Sequence, residues 1–263
     1  MTRLLGFELD FWDYATFAVL ALSVAVFLSF LVWLAGMPGR IAIARKHPDA
    51  EAVKILEGLG TATISEAQGR RGLMNRYMRP IYPTARVCGP AVTALCQPGD
   101  NMMIHVAIEV IQPGDVLVVA VTSPSDDGFF GELLGTSLQA HGVKGLILDA
   151  GCRDVSELTA MDFPVWSKCI YAQGTVKETV GSVNIPVVCA DQLVRPGDVI
   201  MADIDGVVVV PRENAAAVAK ASQDRVAKEE KTRARLKSGE LGMNFNGIKE
   251  KIAAAGVVYV DEE

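Results

Sequence analysis

Three groups of residues in the segment GELLGTSLQAHGVKGLILDAGCRDVSEL have the types and spacing to do chemistry together. Gly131 to Leu134 open a predicted helix, whose first N–H groups lack partners within the helix and can hold a carboxylate or a phosphate. Arg153 offers a permanent planar cation, and Asp154 beside it a hard oxygen ligand for a divalent cation. An anion cradle, a fixed positive charge and a metal ligand suit an anionic, oxygen-rich small molecule. A surface ion pair or a helix cap would account for Arg153 and Asp154 as well, so the elements that place them decide.

Leu133, Leu134 and Leu138 fall at helical spacing, and Gly142 stands where that helix should stop. Val143 to Leu148 reads as a buried strand and Asp149-Ala150-Gly151 as a turn. Arg153 and Asp154 then lie at a strand's carboxyl end, where open α/β sheets bind ligands. Further helices are predicted over Ala50–Leu59, Thr63–Gly69, Asn101–Ile111, Glu213–Leu236 and Phe245–Ala255. Strands are predicted over Arg86–Leu95, Asp115–Val121, Phe163–Ile170, Val187–Ala190, Val199–Asp203, Val207–Val210 and Val257–Val260. Ile204-Asp205-Gly206 is a hairpin signal, which explains Asp203 and Asp205 more simply than a metal does. Pro-Gly-Asp recurs at Pro98, Pro113 and Pro196, the last two directly before strands, and reads as a tight turn rather than as chemistry. Arg70, Arg71, Arg76 and Arg79 make a basic loop that is a solvated face or a substrate contact.

The chain of 263 residues is half hydrophobic and carries a formal net charge of −6, which suits one compact domain with an appendage or two small domains. The acidic balance argues against a nucleic-acid groove. Cys88, Cys96, Cys152, Cys169 and Cys189 are scattered, without a C-x-x-C pair, and read as reduced, buried thiols. Cys152 as a nucleophile is the alternative, but no histidine is placed by sequence to activate it. His47, His105 and His141 have no zinc-ligand spacing and read as surface or packing residues.

The N-terminal part differs from the rest. Ala15 to Ala35 is almost wholly apolar, Phe11, Trp12 and Tyr14 stand at one end and Trp33 at the other. Such a run predicts a membrane-spanning helix over about residues 14–36. Arg40, Arg45 and Lys46 follow it, which predicts a bacterial inner-membrane location with the remainder of the chain in the cytoplasm. The acidic residues before the run and its length argue against a cleaved signal peptide.

Two resemblances follow from longer motifs. MPGRIAIARKHPDAEAV, with the apolar run before it, resembles a small bacterial inner-membrane protein family, so residues 1–53 are expected to form an anchor segment and residues 54–263 the main domain. EAQGRRGLMNRYMRPIYPTARVCGPAVTALCQPGDNMMIHVAIE, the segment from Gly131 to Leu158, QGTVKETVGSVNIPVV and PGDVIMADIDGVVVVPR resemble the 4-hydroxy-4-methyl-2-oxoglutarate/4-carboxy-4-hydroxy-2-oxoadipate aldolases. That resemblance implies an α/β fold, a layered swivelling β/β/α domain shared with ribonuclease E inhibitors, here preceded by one predicted transmembrane helix. It implies homotrimers or dimers of trimers and a 2-oxo acid substrate, while the acidic charge implies no nucleic-acid partner. It further implies that Gly131, Glu132, Leu133 and Leu134 bind substrate with Arg153, and that Asp154 binds Mg²⁺ or Mn²⁺ directly. Glu132 would act through metal-bound water, and Glu157 completes an Arg-Asp-x-x-acid pattern. A glutamate of a neighbouring subunit, Glu229 or else Glu230, would complete the site. The implied activity is class II pyruvate aldolase chemistry in aromatic-acid catabolism, with oxaloacetate decarboxylation beside it. A non-catalytic ribonuclease E inhibitor-like binding protein is the alternative. A methyltransferase is disfavoured, because no glycine-rich dinucleotide-type loop follows a first strand.

Overall fold

Strands apolar on both faces build the centre of the molecule in a computed structural model that describes residues 2–4, 7–9, 11–35 and 49–260. The chain divides into two units, Met1–Gly39 and Arg40–Glu263. In the first, β1 (Thr2–Leu4) pairs antiparallel with β2 (Phe7–Leu9), and α1 (Phe11–Ala35) follows.

A helix therefore forms where the apolar run predicts one, but the membrane reading is corrected. Among the described residues no helix is long and apolar enough to cross a membrane. The anchor, the membrane partner and the inner-membrane location all rested on a span, and none is retained. The basic residues Arg40, Arg45 and Lys46, from which the orientation was read, lie outside the described residues.

The second unit runs α2 (Ala50–Glu57), α3 (Thr61–Ala67), β3 (Arg79–Pro80), β4 (Val87–Cys96), α4 (Met102–Ala107), β5 (Val116–Val121), β6 (Gly128–Phe130), α5 (Glu132–Ala140), β7 (Gly145–Cys152), α6 (Val155–Ala160) and β8 (Val165–Ile170). It continues with β9 (Ser182–Val183), β10 (Val187–Cys189), β11 (Gln192–Val194), β12 (Val199–Asp203), β13 (Gly206–Val210), α7 (Ala215–Lys237) and α8 (Ile248–Ala254). The main sheet has the order β13-β12-β4-β5-β7-β8-β3, with β6 added beside β7 and β9 beside β4. Strands β4, β5, β7 and β8 are parallel, and α4, α5 and α6 make the crossovers that parallel pairing requires. β4 changes partners along its length. Val87–Pro90 pairs antiparallel with β12, and Ala91–Cys96 parallel with β5.

Side-chain alternation sets the layers. On β5, Leu117 and Val119 pack with the helices α4 and α5, while Val116, Val118 and Ala120 pack with the β10–β11 hairpin and Trp166. A third core lies between α2, α3, α7 and the β12–β13 pair. The result is a layered β/β/α swivelling domain, as the resemblance implies.

Some boundaries differ from the sequence reading. β7 runs on through Asp149-Ala150-Gly151, where a turn is predicted, because Gly151 and Cys152 pair with β6 on one side and β8 on the other. Val257–Val260, predicted as a strand, is not a strand and is exposed. The Asp-Gly hairpin forms, and Asp203 has a second task. Gly60, at the α3 N-cap, has no side chain to cap with. Asp203 caps that helix from a distance, accepting hydrogen bonds from Thr61 N at 2.9 Å and Thr61 Oγ1 at 2.6 Å. Asp203 is 9% exposed, so its loss strands buried donors. Asp203→Ala is expected to cost about 2–3 kcal/mol. Urea unfolding of variant and parent measures it, and an unchanged midpoint would refute the cap.

Candidate functional site

Two neighbouring strand ends make the site. β6 pairs with β7, and Arg153 N donates to Phe130 O at 2.9 Å, so the chain leaving β6 and the chain leaving β7 emerge side by side. The first enters α5 through Gly131 and the second enters α6 through Arg153 and Asp154. Asp154 has a left-handed backbone, φ 55°, an uncommon state that Asp tolerates better than most residues. That bend brings its carboxylate over the start of α5, where Oδ2 accepts from Glu132 N at 3.0 Å. Gly131 has extended backbone that any residue can adopt, so its need for glycine is one of space. A Cβ there would lie 2.2 Å from Asp154 Oδ2 and 3.2 Å from Arg153 Cγ.

Around this contact lies a pocket of about 130 Å³ lined by Asn101, His105, Gly131, Leu134, Arg153, Asp154 and Lys177, among others. Of the predicted residues it gathers Gly131, Leu133, Leu134, Arg153 and Asp154. Glu132 is not in its lining, and accepts from Thr136 Oγ1 at 2.8 Å along α5 instead. Glu157 is exposed on α6 and also outside the lining. Glu229 is paired with Arg225 at 2.7 Å on α7, and Arg225 also reaches Glu66 on α3. Glu230 pairs with Arg233. Among the described residues no three His, Cys, Asp or Glu side chains cluster so as to hold a metal.

The pocket is also lined by residues to which the sequence reading gave no functional role, His105 among them, which it read as a surface or packing residue. Asn101 starts α4, and its Nδ2 donates to Phe129 O at 2.8 Å. His105 stands one helical turn on, and this i,i+4 pair was the available signal. Burial, with the Lys177 charge second, holds the His105 ring below its ordinary pKa. Lys177 sits on the loop between β8 and β9, and nothing in its sequence neighbourhood announces it. Asp100 ties that loop down. One of its carboxylate oxygens accepts from Met102 N at 2.9 Å, the other from Glu178 N and Thr179 N at 2.7 Å each. Burial raises the Asp100 pKa, but these three N–H groups outweigh it and hold the group below the ordinary carboxylate range.

Cys152 is fully buried, which disfavours the nucleophile alternative. Burial, then the Asp154 charge, pushes its thiol up to about 12, so it stays protonated near neutrality. A larger hollow of about 590 Å³ lies beside α3, β11 and α7. Arg71 is the lone charge in its lining, and it faces no parallel-strand carboxyl end.

The sequence matches the RraA-like family model, described as Aldolase/RraA, over residues 61–209. It is 29% identical over 152 residues to a protein of Halalkalibacterium halodurans provisionally named 4-hydroxy-4-methyl-2-oxoglutarate aldolase, covering 58% of this chain and 72% of that one. It is 31% identical over 124 residues to a Pseudomonas putida protein of the same provisional name, covering 47% and 76%. Among solved structures, Streptomyces coelicolor RraAS2, described as an unusual member of the RNase ES inhibitor RraA family, superposes with a TM-score of 0.64. It shares 27% identity and covers 72% of this chain and 99% of that one.

Two outcomes follow from this geometry. Gly131→Ala should leave the fold standing and displace the Arg153 and Asp154 side chains, with anion binding at the pocket reduced at least about 10-fold. Calorimetric titration with oxalate reads the loss, and unchanged affinity would remove Gly131 from the site. Asp100 binds its proton less readily folded than unfolded, so its contribution is full above about pH 3.9 and lost as pH falls through the lower folded value. The stability gap between the parent and Asp100→Asn should therefore be wide at pH 7 and close below about pH 4. A gap that stays constant with pH would contradict the assignment.

Proposed function

We propose, from the premise that the chain belongs to the Aldolase/RraA family, that its pocket binds a small 2-oxo acid and that residues 54–263 cleave a carbon–carbon bond in it. The observation that carries this reading is the convergence of the Arg153 guanidinium, the Asp154 carboxylate and the N-terminus of α5 on one small pocket. The N–H groups of Leu133 and Leu134, beyond the Glu132 N–H that Asp154 already holds, bind the substrate carboxylate. Arg153 holds the keto oxygen and stabilises negative charge as it grows there. Lys177, also in the lining, adds positive potential. The provisional names of the relatives make 4-hydroxy-4-methyl-2-oxoglutarate the substrate to try first, with oxaloacetate beside it.

A single carboxylate facing a pocket fits Mg²⁺ or Mn²⁺, which commonly take one or two carboxylates and fill their other positions with water and substrate. It does not fit a zinc cage of three or four side chains. Asp154 would hold the ion through the oxygen that is not bonded to Glu132 N. A divalent ion there would supply Lewis acidity beside the Arg153 charge. Glu132 would have to leave Thr136 to serve that ion's water.

The second reading is a non-catalytic binding protein of the ribonuclease E inhibitor type. It is favoured by Asp154 acting as a helix cap and by Glu132 being engaged within its own helix. The arrangement satisfies it with no side chain moved, so on the static geometry it has the advantage. The likeness to RraAS2 adds to it at the level of the fold.

Pyruvate release from 4-hydroxy-4-methyl-2-oxoglutarate, with Mg²⁺ and with EDTA, separates the two. Under the aldolase reading EDTA abolishes release, Asp154→Ala removes it with the fold kept, and Arg153→Ala lowers turnover about 10²–10³-fold at saturating Mg²⁺. No pyruvate under any condition leaves the binding protein.

A further inference from the structure

Arg153 is the cation on which the pocket depends, yet little of what normally fixes an arginine surrounds it. Its side chain is 45% exposed, and its nearest carboxylate, from the adjacent Asp154, is 3.9 Å from Nε. A long side chain so placed has many rotamers open to it. What restricts it is shape. A Cβ on Gly131 would lie 3.2 Å from Arg153 Cγ, one on Gly128 3.3 Å from Cδ, and one on Gly174 3.0 Å from Nη1 and 3.7 Å from Cζ. From Cγ to the guanidinium the side chain therefore lies along three glycines drawn from two segments, the end of β6 with its following turn and the loop after β8. Gly174 belongs to the loop that Asp100 straps down at Glu178 and Thr179.

Gly128 and Gly131 have other reasons to be glycine. A Cβ on Gly128 would meet Tyr171 O at 2.5 Å, and one on Gly131 the Asp154 carboxylate at 2.2 Å. Gly174 has no such second reason. Its φ is outside the left-handed region, and the Arg153 guanidinium atoms are the neighbours a Cβ would meet there. We infer that Gly174 is a positioning residue, the far wall of a three-glycine slot that holds the Arg153 guanidinium in place for an oxyacid ligand. The ligand part rests on the 2-oxo acid reading, whereas the slot itself does not.

The test uses the full chain with Gly174→Ala, Arg153→Lys and the double variant. The parent should bind oxalate in the presence of Mg²⁺, Gly174→Ala should bind it about 10-fold more weakly, and the melting temperature should not move. In the Arg153→Lys background, where the atoms Nη1 and Cζ are gone, Gly174→Ala should change affinity no further. Independent costs in the double variant would make Gly174 a loop residue and overturn the slot. The NMR signal of Arg153 Nε–H, assigned by its loss in Arg153→Lys, should shift or broaden in Gly174→Ala. An unmoved signal overturns the slot whether or not oxalate binds. A parent that binds no oxalate overturns the oxyacid reading alone, and the NMR signal then decides the slot.

Discussion

The structure around the pocket depends on one close approach, that of the Asp154 carboxylate to the space a side chain at position 131 would fill. Oδ2 sits 3.0 Å from Glu132 N, at the positive end of α5. This charge-assisted bond joins the turn after β6 to the turn after β7. It offsets the left-handed backbone at Asp154, a state that costs of order 1 kcal/mol for a residue other than glycine. It also fixes where Arg153 leaves the chain, and hence which way the one permanent cation of the two turns can point.

The same carboxylate is what the two functional readings contest. As a cap it is a structural group with one hydrogen-bond partner, Glu132 N, and Arg153 beside it. As a ligand it would turn its other oxygen to a divalent ion while the cap stays made. The choice does not lie in the fold, since a fold does not by itself fix a function. It lies in whether an ion adds more to Asp154 than its present bond already supplies, and in whether Glu132 leaves Thr136.

Recurrent turn chemistry shows how one device can serve structure and site. At Pro113 and Pro196 the Pro-Gly-Asp tripeptide closes a turn with its own aspartate, which accepts from Gln112 N at 2.7 Å and from Arg195 N at 2.8 Å. At Pro98 the aspartate reaches instead to Glu178 and Thr179, and so holds the loop that carries Lys177 and Gly174 against the pocket. The three aspartates are 2%, 1% and 1% exposed, so burial alone does not tell the positioning one from the other two.

Local pattern determined much of this molecule. The apolar runs of β5 and β7, the helix after Gly131, the Asp-Gly hairpin and the placing of Arg153 and Asp154 at a strand end are all written in short stretches. Each depends on periodicity or turn chemistry within a few residues. Tertiary structure decided the rest, because it turns on meetings between distant segments. Asp203 caps a helix that begins at Thr61, Asn101 and Lys177 line the same pocket as Arg153, and β7 is prolonged by its neighbours through what reads alone as a turn. Likewise Gly128 and Gly174 read as ordinary loop and strand glycines until the fold lays an arginine across them. A glycine records in the sequence that something comes close, but only the folded chain shows what.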